Sequence, residues 1–240
     1  MEKRLVTFGC SNTFGYELDD PSLQAWPVKL GQILKHKHKT INKGSPGASN
    51  KLIWGNALRF DYGNKDIVVC MWSYLSRWTR LRDPKVFPDK PWWGNGIAIP
   101  DSKRNRNVMT SQFGEHGWEI NRNYFETWEE YDALLEMVLY ANHIHEFLKV
   151  KNIPSYHLWI GGGPRDITFK KWENKWSGNL AKTELDNRFK SYFQPDINFM
   201  QYDLHHNKRF IDEANDNMHI GPNSHMLVAN DIAEWIKKCG

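Results

Sequence analysis

The stretch Leu5-Val6-Thr7-Phe8-Gly9-Cys10-Ser11-Asn12-Thr13-Phe14-Gly15 opens as an apolar run and breaks at a glycine just ahead of a serine. The run predicts a β-strand, with Ser11 at its carboxyl end. In an open α/β sheet, ligands bind in the crevice outside the carboxyl ends of the strands, so a hydroxyl at that turn faces substrate rather than core. A plainer reading has Ser11 or Asn12 cap the helix that follows. The far end of the chain bears on the choice, because Asp216-Asn217-Met218-His219 sets a carboxylate and an imidazole three residues apart, ahead of the last amphipathic segment. A nucleophile needs a base, and the base needs an orienting acid.

Between these ends, strands alternate with helical patterns, the mark of a doubly wound α/β chain. Leu23, Trp26, Leu30, Ile33 and Leu34 recur at helical spacing, with Pro27 near the start of that helix. A short strand at Lys39–Asn42 leads through the loop Gly44–Asn50 into another helix. Asp66–Trp72 is the strongest strand, a continuous apolar run of the kind buried on both faces of a parallel sheet. Residues 83–126 lose the pattern and read as a lid or insertion loop within one domain spanning 1–240. Thr127–Lys151 predicts the clearest helix, on which His143 and His145 point to different sides and read as surface histidines rather than metal ligands. Strands are expected at Ser155–Ile160 and Asp196–Met200, and a closing helix at His225–Ile236. The run Gly161-Gly162-Gly163 lacks the spacing and the lysine of a phosphate-binding loop and reads as a strand-end turn.

Composition narrows the class. The net charge of +4 is spread over 32 basic and 28 acidic residues, without a dedicated basic tail, so nucleic acid is not an expected partner. Three cysteines, Cys10, Cys70 and Cys239, make no disulfide framework and read as reduced thiols. No segment reads as a signal region or a membrane span, so a cytoplasmic or virion-associated location is expected. Twelve tryptophans are many for 240 residues; Trp72, Trp92 and Trp93 suggest an aromatic wall around a cleft, with ordinary packing as the alternative.

Taken in order, these pieces resemble the SGNH (GDSL-like) hydrolase superfamily of esterases and lipases. The family's first block, G-D-S-x-x-x-G, is matched by Gly9-Cys10-Ser11-Asn12-Thr13-Phe14-Gly15, its second by Asn42 and Gly47, and its last, D-x-x-H, by Asp216 and His219. Cys10 stands where the family has an acidic residue, and Met71-Trp72-Ser73-Tyr74 stands where G-x-N-D is expected, with Ser73 in place of the oxyanion asparagine. The resemblance implies a three-layer α/β/α flavodoxin-like fold with a central parallel sheet of about five strands and a Trp-rich insertion. It implies a triad in which Ser11 attacks an ester, His219 carries the proton and Asp216 orients the imidazole. The amides of Ser11 and Gly47 would hold the oxyanion, with Ser73 weakened and Asn12, Ser76 or Arg77 as substitute donors. No metal or organic cofactor is implied. The preferred substrate is a small acyl ester, such as an O-acetyl group on a carbohydrate. Against this serine esterase stands a catalytically faded fold kept as a carbohydrate-binding or structural, virion-associated module. A nucleotide- or nucleic-acid-binding reading rests only on the glycine run and the mild positive charge. Oligomeric state is not legible.

Overall fold

A computed structural model describes residues 3–34, 39–75, 77–81, 93–97, 130–160, 190–202, 204, 210–217 and 219–239. Five parallel strands form the central sheet: β1 (Arg4–Gly9), β2 (Lys39–Gly44), β3 (Ile67–Trp72), β6 (Ser155–Trp159) and β7 (Asn198–Gln201), in the order β2-β1-β3-β6-β7. A separate antiparallel hairpin joins β4 (Arg77–Leu81) to β5 (Trp93–Ile97). The helices are α1 (Ser11–Phe14), α2 (Pro21–Gln24), α3 (Trp26–Ile33), α4 (Asn50–Leu58), α5 (Glu130–Lys149) and α6 (Pro222–Cys239).

Two helical layers follow from strand alternation, because successive side chains point to opposite faces. On β1, Leu5 meets α3 near Gly31, whereas Phe8 packs edge-on to Phe60, 5.8 Å away, just past α4. On β6, Tyr156 meets Trp235 of α6 at 5.5 Å, whereas the next residue, His157, faces His145 of α5 at 6.5 Å. Helices α3 and α6 thus cover one face and α4 and α5 the other, giving a three-layer α/β/α architecture. The inner strands are buried on both faces, which explains their unbroken apolar runs. At the sheet's amino end, Arg4 pairs bidentately with the buried Asp66, at 2.8 and 2.6 Å, and holds β1 to the turn before β3.

Several expectations change. The helix expected across 21–34 breaks at Ala25, whose extended backbone separates α2 from α3 and leaves Pro27 in the first turn of α3, where its missing N–H costs nothing. The irregular stretch 83–126 contains β5; the rest of that stretch, Trp92 included, and the Gly161–Gly163 run lie outside the described residues. His145 is buried, not a surface histidine, and contacts Ser155 at 3.3 Å and Asp196 at 3.2 Å. Trp72 is completely buried and stacks on His157 at 5.9 Å, so it belongs to the core and walls no cleft. Among the described residues, no helix is long and apolar enough to cross a membrane.

Candidate functional site

The turn after β1 is a single helical turn. Cys10 is its N-cap and offers no side-chain hydrogen bond, so neither Ser11 nor Asn12 serves as the cap. Ser11 is the first helical residue, where a backbone N–H has no partner inside the helix. The Ser11 carbonyl accepts from Gly15 N at 2.9 Å and Tyr16 N at 3.1 Å, which closes the turn tightly. Ser11 Oγ is buried and has no hydrogen-bond partner among the described residues, a state it shares with Thr7 and Thr13 Oγ1. Buried hydroxyls are normally satisfied, so an unsatisfied one at a strand's carboxyl end calls for a reason.

The loop ahead of α6 brings in the imidazole. His219 Nδ1 lies 2.6 Å from Asp216 Oδ2, and the His219 backbone N–H donates to Asp216 Oδ1 at 3.0 Å. Both side chains keep a little exposure, 20% for His219 and 17% for Asp216. Asn217, at φ 55, makes the reversal between them. The bridge Glu213↔Ile220 and the bond from Ala214 N to His219 O, 2.9 Å, close the loop at its neck.

Beneath that neck, Asp212 accepts from Asn223 N at 2.8 Å and from Ser224 N at 2.7 Å, capping the first turn of α6. Burial pushes the Asp212 carboxyl up, but the hydrogen bonds from Ser224 and Asn223 outweigh it and hold it below the usual carboxylate range. His225 is buried one step further along, accepts from Trp26 N at 3.1 Å, and is pushed down to about 3 by burial, so it is a neutral structural acceptor.

This loop docks on the serine turn. Tyr16 meets the His219 ring edge-on at 5.2 Å, and Glu17 O accepts from Asn215 N at 3.2 Å. The structure thus joins His219 to Asp216 and fastens both to the segment just after Ser11, while the serine–histidine hydrogen bond itself is not formed.

A second group lies past β3. Asn50, at the start of α4, clamps the backbone of Ser73: its Oδ1 accepts from Ser73 N at 2.7 Å and its Nδ2 donates to Ser73 O at 3.3 Å. The Ser73 amide is therefore spent, and only its hydroxyl remains for other work. Arg77 Nη1 donates to that hydroxyl oxygen at 3.1 Å, and Arg77 Nε is buried without a partner among the described residues. Because arginine only donates, taking one of the oxygen's two lone pairs, the Ser73 O–H is left to donate elsewhere. Asn12 hydrogen-bonds Tyr74, tying this group to the serine turn.

The third part is the loop from β2. Gly44 lies so close to Phe14 that a Cβ would collide with its backbone, and Asn42 Nδ2 donates to Thr13 O at 2.8 Å. Ser45-Pro46-Gly47-Ala48 then forms a turn in which Ala48 N donates to Ser45 O at 3.0 Å and Gly47 has φ 73, the pattern of a type II turn. No atom of the described residues lies within 4 Å of where a Gly47 Cβ would stand.

Of the expected wall, Trp92 lies outside the described residues, and of Trp93 only the strand position is described. The aromatics exposed beside the serine turn are instead Phe14, at 41%, and Tyr16, at 39%, which the sequence did not single out. Asn50 was missed as well, since a polar residue at a helix start reads as local capping. Elsewhere, His145, Glu146 and Asp196 bring potential ligand atoms within 4.8 Å of one another, but Lys149 Nζ stands 2.8 Å from Asp196 and already supplies the cation.

A five-stranded parallel sheet in this order between two helical layers, with Ser11 after its first strand and the Asp216–His219 loop before its last helix, is a fold the chain shares with solved esterase structures. Among solved structures, the chain is similar to a protein of Agrobacterium tumefaciens assigned as an arylesterase, with 12% identity, full coverage of both chains and a TM-score of 0.50. It is equally similar to a carbohydrate acetylesterase of Sinorhizobium meliloti, with 13% identity, full coverage of both chains and a TM-score of 0.50. No protein-family model and no curated protein matches the sequence.

Proposed function

We propose that this protein is a serine ester hydrolase acting on small acyl esters, with O-acetyl groups on carbohydrate as the preferred substrate class. The observation that carries the reading is the Asp216–His219 pair, bonded at 2.6 Å and docked through Tyr16 and Glu17 onto the turn that bears an unsatisfied Ser11 hydroxyl. With Nδ1–H held by the carboxylate, the imidazole presents Nε2 as the base.

Ser11 Oγ bonds to the ester carbonyl carbon while His219 Nε2 takes its proton. The tetrahedral oxyanion is held by the amides of Ser11 and Gly47 and by the Ser73 hydroxyl, which Arg77 polarises. Collapse breaks the bond to the alcohol oxygen, which leaves with the proton from His219. Water, deprotonated by the same imidazole, then attacks the acyl-enzyme and frees the acid and Ser11. Tyr16 and Phe14 supply apolar surface beside the reacting carbon. A carbohydrate ester fits such exposed aromatic surface, and one of the two similar folds above is a carbohydrate acetylesterase.

Two observations favour a binding module instead: Ser73 stands where the resemblance expects an asparagine donor, and Ser11 makes no hydrogen bond to His219. Covalent labelling with a fluorophosphonate probe separates the two. Labelling of wild type that is lost in both Ser11→Ala and His219→Ala supports the hydrolase; a folded wild-type protein that takes no label rules it out.

A further inference from the structure

A cleft of about 410 Å³ opens at the edge of the sheet between β2 and α4, and its walls are unlike those of the ester site. Small-molecule sites occupy about 300–1,000 Å³, so the space suits one compact ring. Phe60 forms the floor with the buried Phe8 beneath it, Lys43 and Arg59 stand at the rim, Arg59 anchored by the bond from its Nε to Gly55 O at 3.0 Å, and Ser45 and Asn56 supply a hydroxyl and an amide; none of the lining residues is acidic. Lys43 Nζ sits 5.9 Å from the Phe60 ring centroid, which keeps its charge over the floor. Asn42 also lines the cleft, but its amide is committed to Thr13 O and Gly44 N, so it shapes the wall and binds nothing.

The cleft is built into the nucleophile's support. Ser45 N donates to Gly9 O at 3.0 Å, Gly44 abuts Phe14, and Asn42 is bonded to Thr13, two residues past Ser11. A ligand held there lies against the same loop that presents the Gly47 amide.

We propose that this cleft binds an anionic sugar unit, its carboxylate between Lys43 and Arg59, its apolar ring face on the phenylalanine floor and its hydroxyls toward Ser45 and Asn56. Paired cations select the charge, while the aromatic floor and the neutral polar side chains select a polyhydroxylated ring over a bare ion. The acylated carbohydrate of the proposed hydrolysis is then an acidic one, anchored here by a unit next to the one that carries the ester. That link rests on the esterase reading; binding in the cleft does not.

The test is titration calorimetry with trigalacturonate, maltotriose and inorganic phosphate against wild type, Ser11→Ala and Lys43→Gln/Arg59→Gln. Both cations are exposed, so the double variant should stay folded, with the Arg59 Nε bond to Gly55 O lost. The expected result is salt-sensitive binding of trigalacturonate by wild type and Ser11→Ala, weakened at least about tenfold in the double variant, with maltotriose and phosphate much weaker. Equal binding of maltotriose or of phosphate, or unchanged trigalacturonate affinity in the folded double variant, overturns the site. Trigalacturonate binding by a wild type that takes no fluorophosphonate label keeps the site and removes the esterase. Label without such binding does the reverse.

Discussion

Replacing Asn50 with alanine tests how the site is held together. Its amide is the partner of both backbone groups of Ser73, which is completely buried, and Asn50 itself is 6% exposed. In Asn50→Ala, the Ser73 N–H and C=O lose these partners, and an unsatisfied buried group costs about 1–3 kcal/mol. A small void adds to this, so the expected loss is about 2–4 kcal/mol, short of the simple sum because the chain relaxes. For a chain of this length, each kcal/mol moves the melting temperature by about 2–4 °C, so a fall of about 5–15 °C is expected. Asn50→Asp keeps the acceptor for Ser73 N–H but sets a carboxylate against the Ser73 carbonyl, so its melting point should also fall. The functional signature is separate: with Ser73 released, its hydroxyl no longer meets a fixed oxyanion position, and kcat should drop while KM for a small ester changes little. Calorimetric melting and p-nitrophenyl acetate kinetics read the two effects. A melting point within 1 °C of wild type, in a variant with unchanged kcat, would refute the clamp.

Asp216→Ala leaves the His219 ring without its orienting carboxylate and should lower kcat about 10³- to 10⁴-fold, with fluorophosphonate labelling slowed in parallel; labelling at the wild-type rate would remove Asp216 from the mechanism. The two loop glycines should respond differently by denaturant unfolding: Gly44→Ala meets the backbone of Phe14 and should cost about 1–3 kcal/mol or fail to fold, whereas Gly47→Ala meets no atom and should cost about 1–2 kcal/mol through its positive φ. Burial pushes His157 and His225 down to about 3, whereas the unfolded chain titrates near 6.5, so stability is full above about pH 6.5 and is lost as the pH falls toward 3. Each contributes up to about 1.4 kcal/mol per pH unit, so urea unfolding should lose about 3–4 kcal/mol between pH 7 and 5, and His225→Gln should flatten that slope. An unchanged slope in that variant would place the acid sensitivity elsewhere.

What could be read from the sequence divides along sequence separation. The strands announced themselves because a parallel sheet covered on both faces needs uninterrupted apolar runs. The same property hid the fate of Trp72: when both faces of a strand are buried, alternation carries no information about which residue meets solvent, and an aromatic at a strand end looks like a cleft wall. His219 and Asp216 were legible because their bond spans three residues. Asn50 and Ser73 are 23 apart, His145 and Asp196 are 51 apart, and each residue has a plain local meaning, a helix start or a polar helical face, that conceals the distant partner. The hairpin was hidden for a related reason: Gly94 and Gly96 are poor strand formers, and Leu81 and Trp93 are separated by far more than the few residues of a hairpin turn, so only pairing with Arg80 and Trp78 makes that segment a strand. Its anchor is again non-local, since Thr79 Oγ1 meets Ser49 Oγ, the N-cap of α4, at 2.5 Å. That contact joins the hairpin to the helix whose first residue clamps Ser73. Ser11, Asp216 and His219 are thus local features that a sequence displays, whereas the Asn50–Ser73–Arg77 group, proposed to stand in for an oxyanion asparagine, is assembled from three separate segments and exists only in the fold.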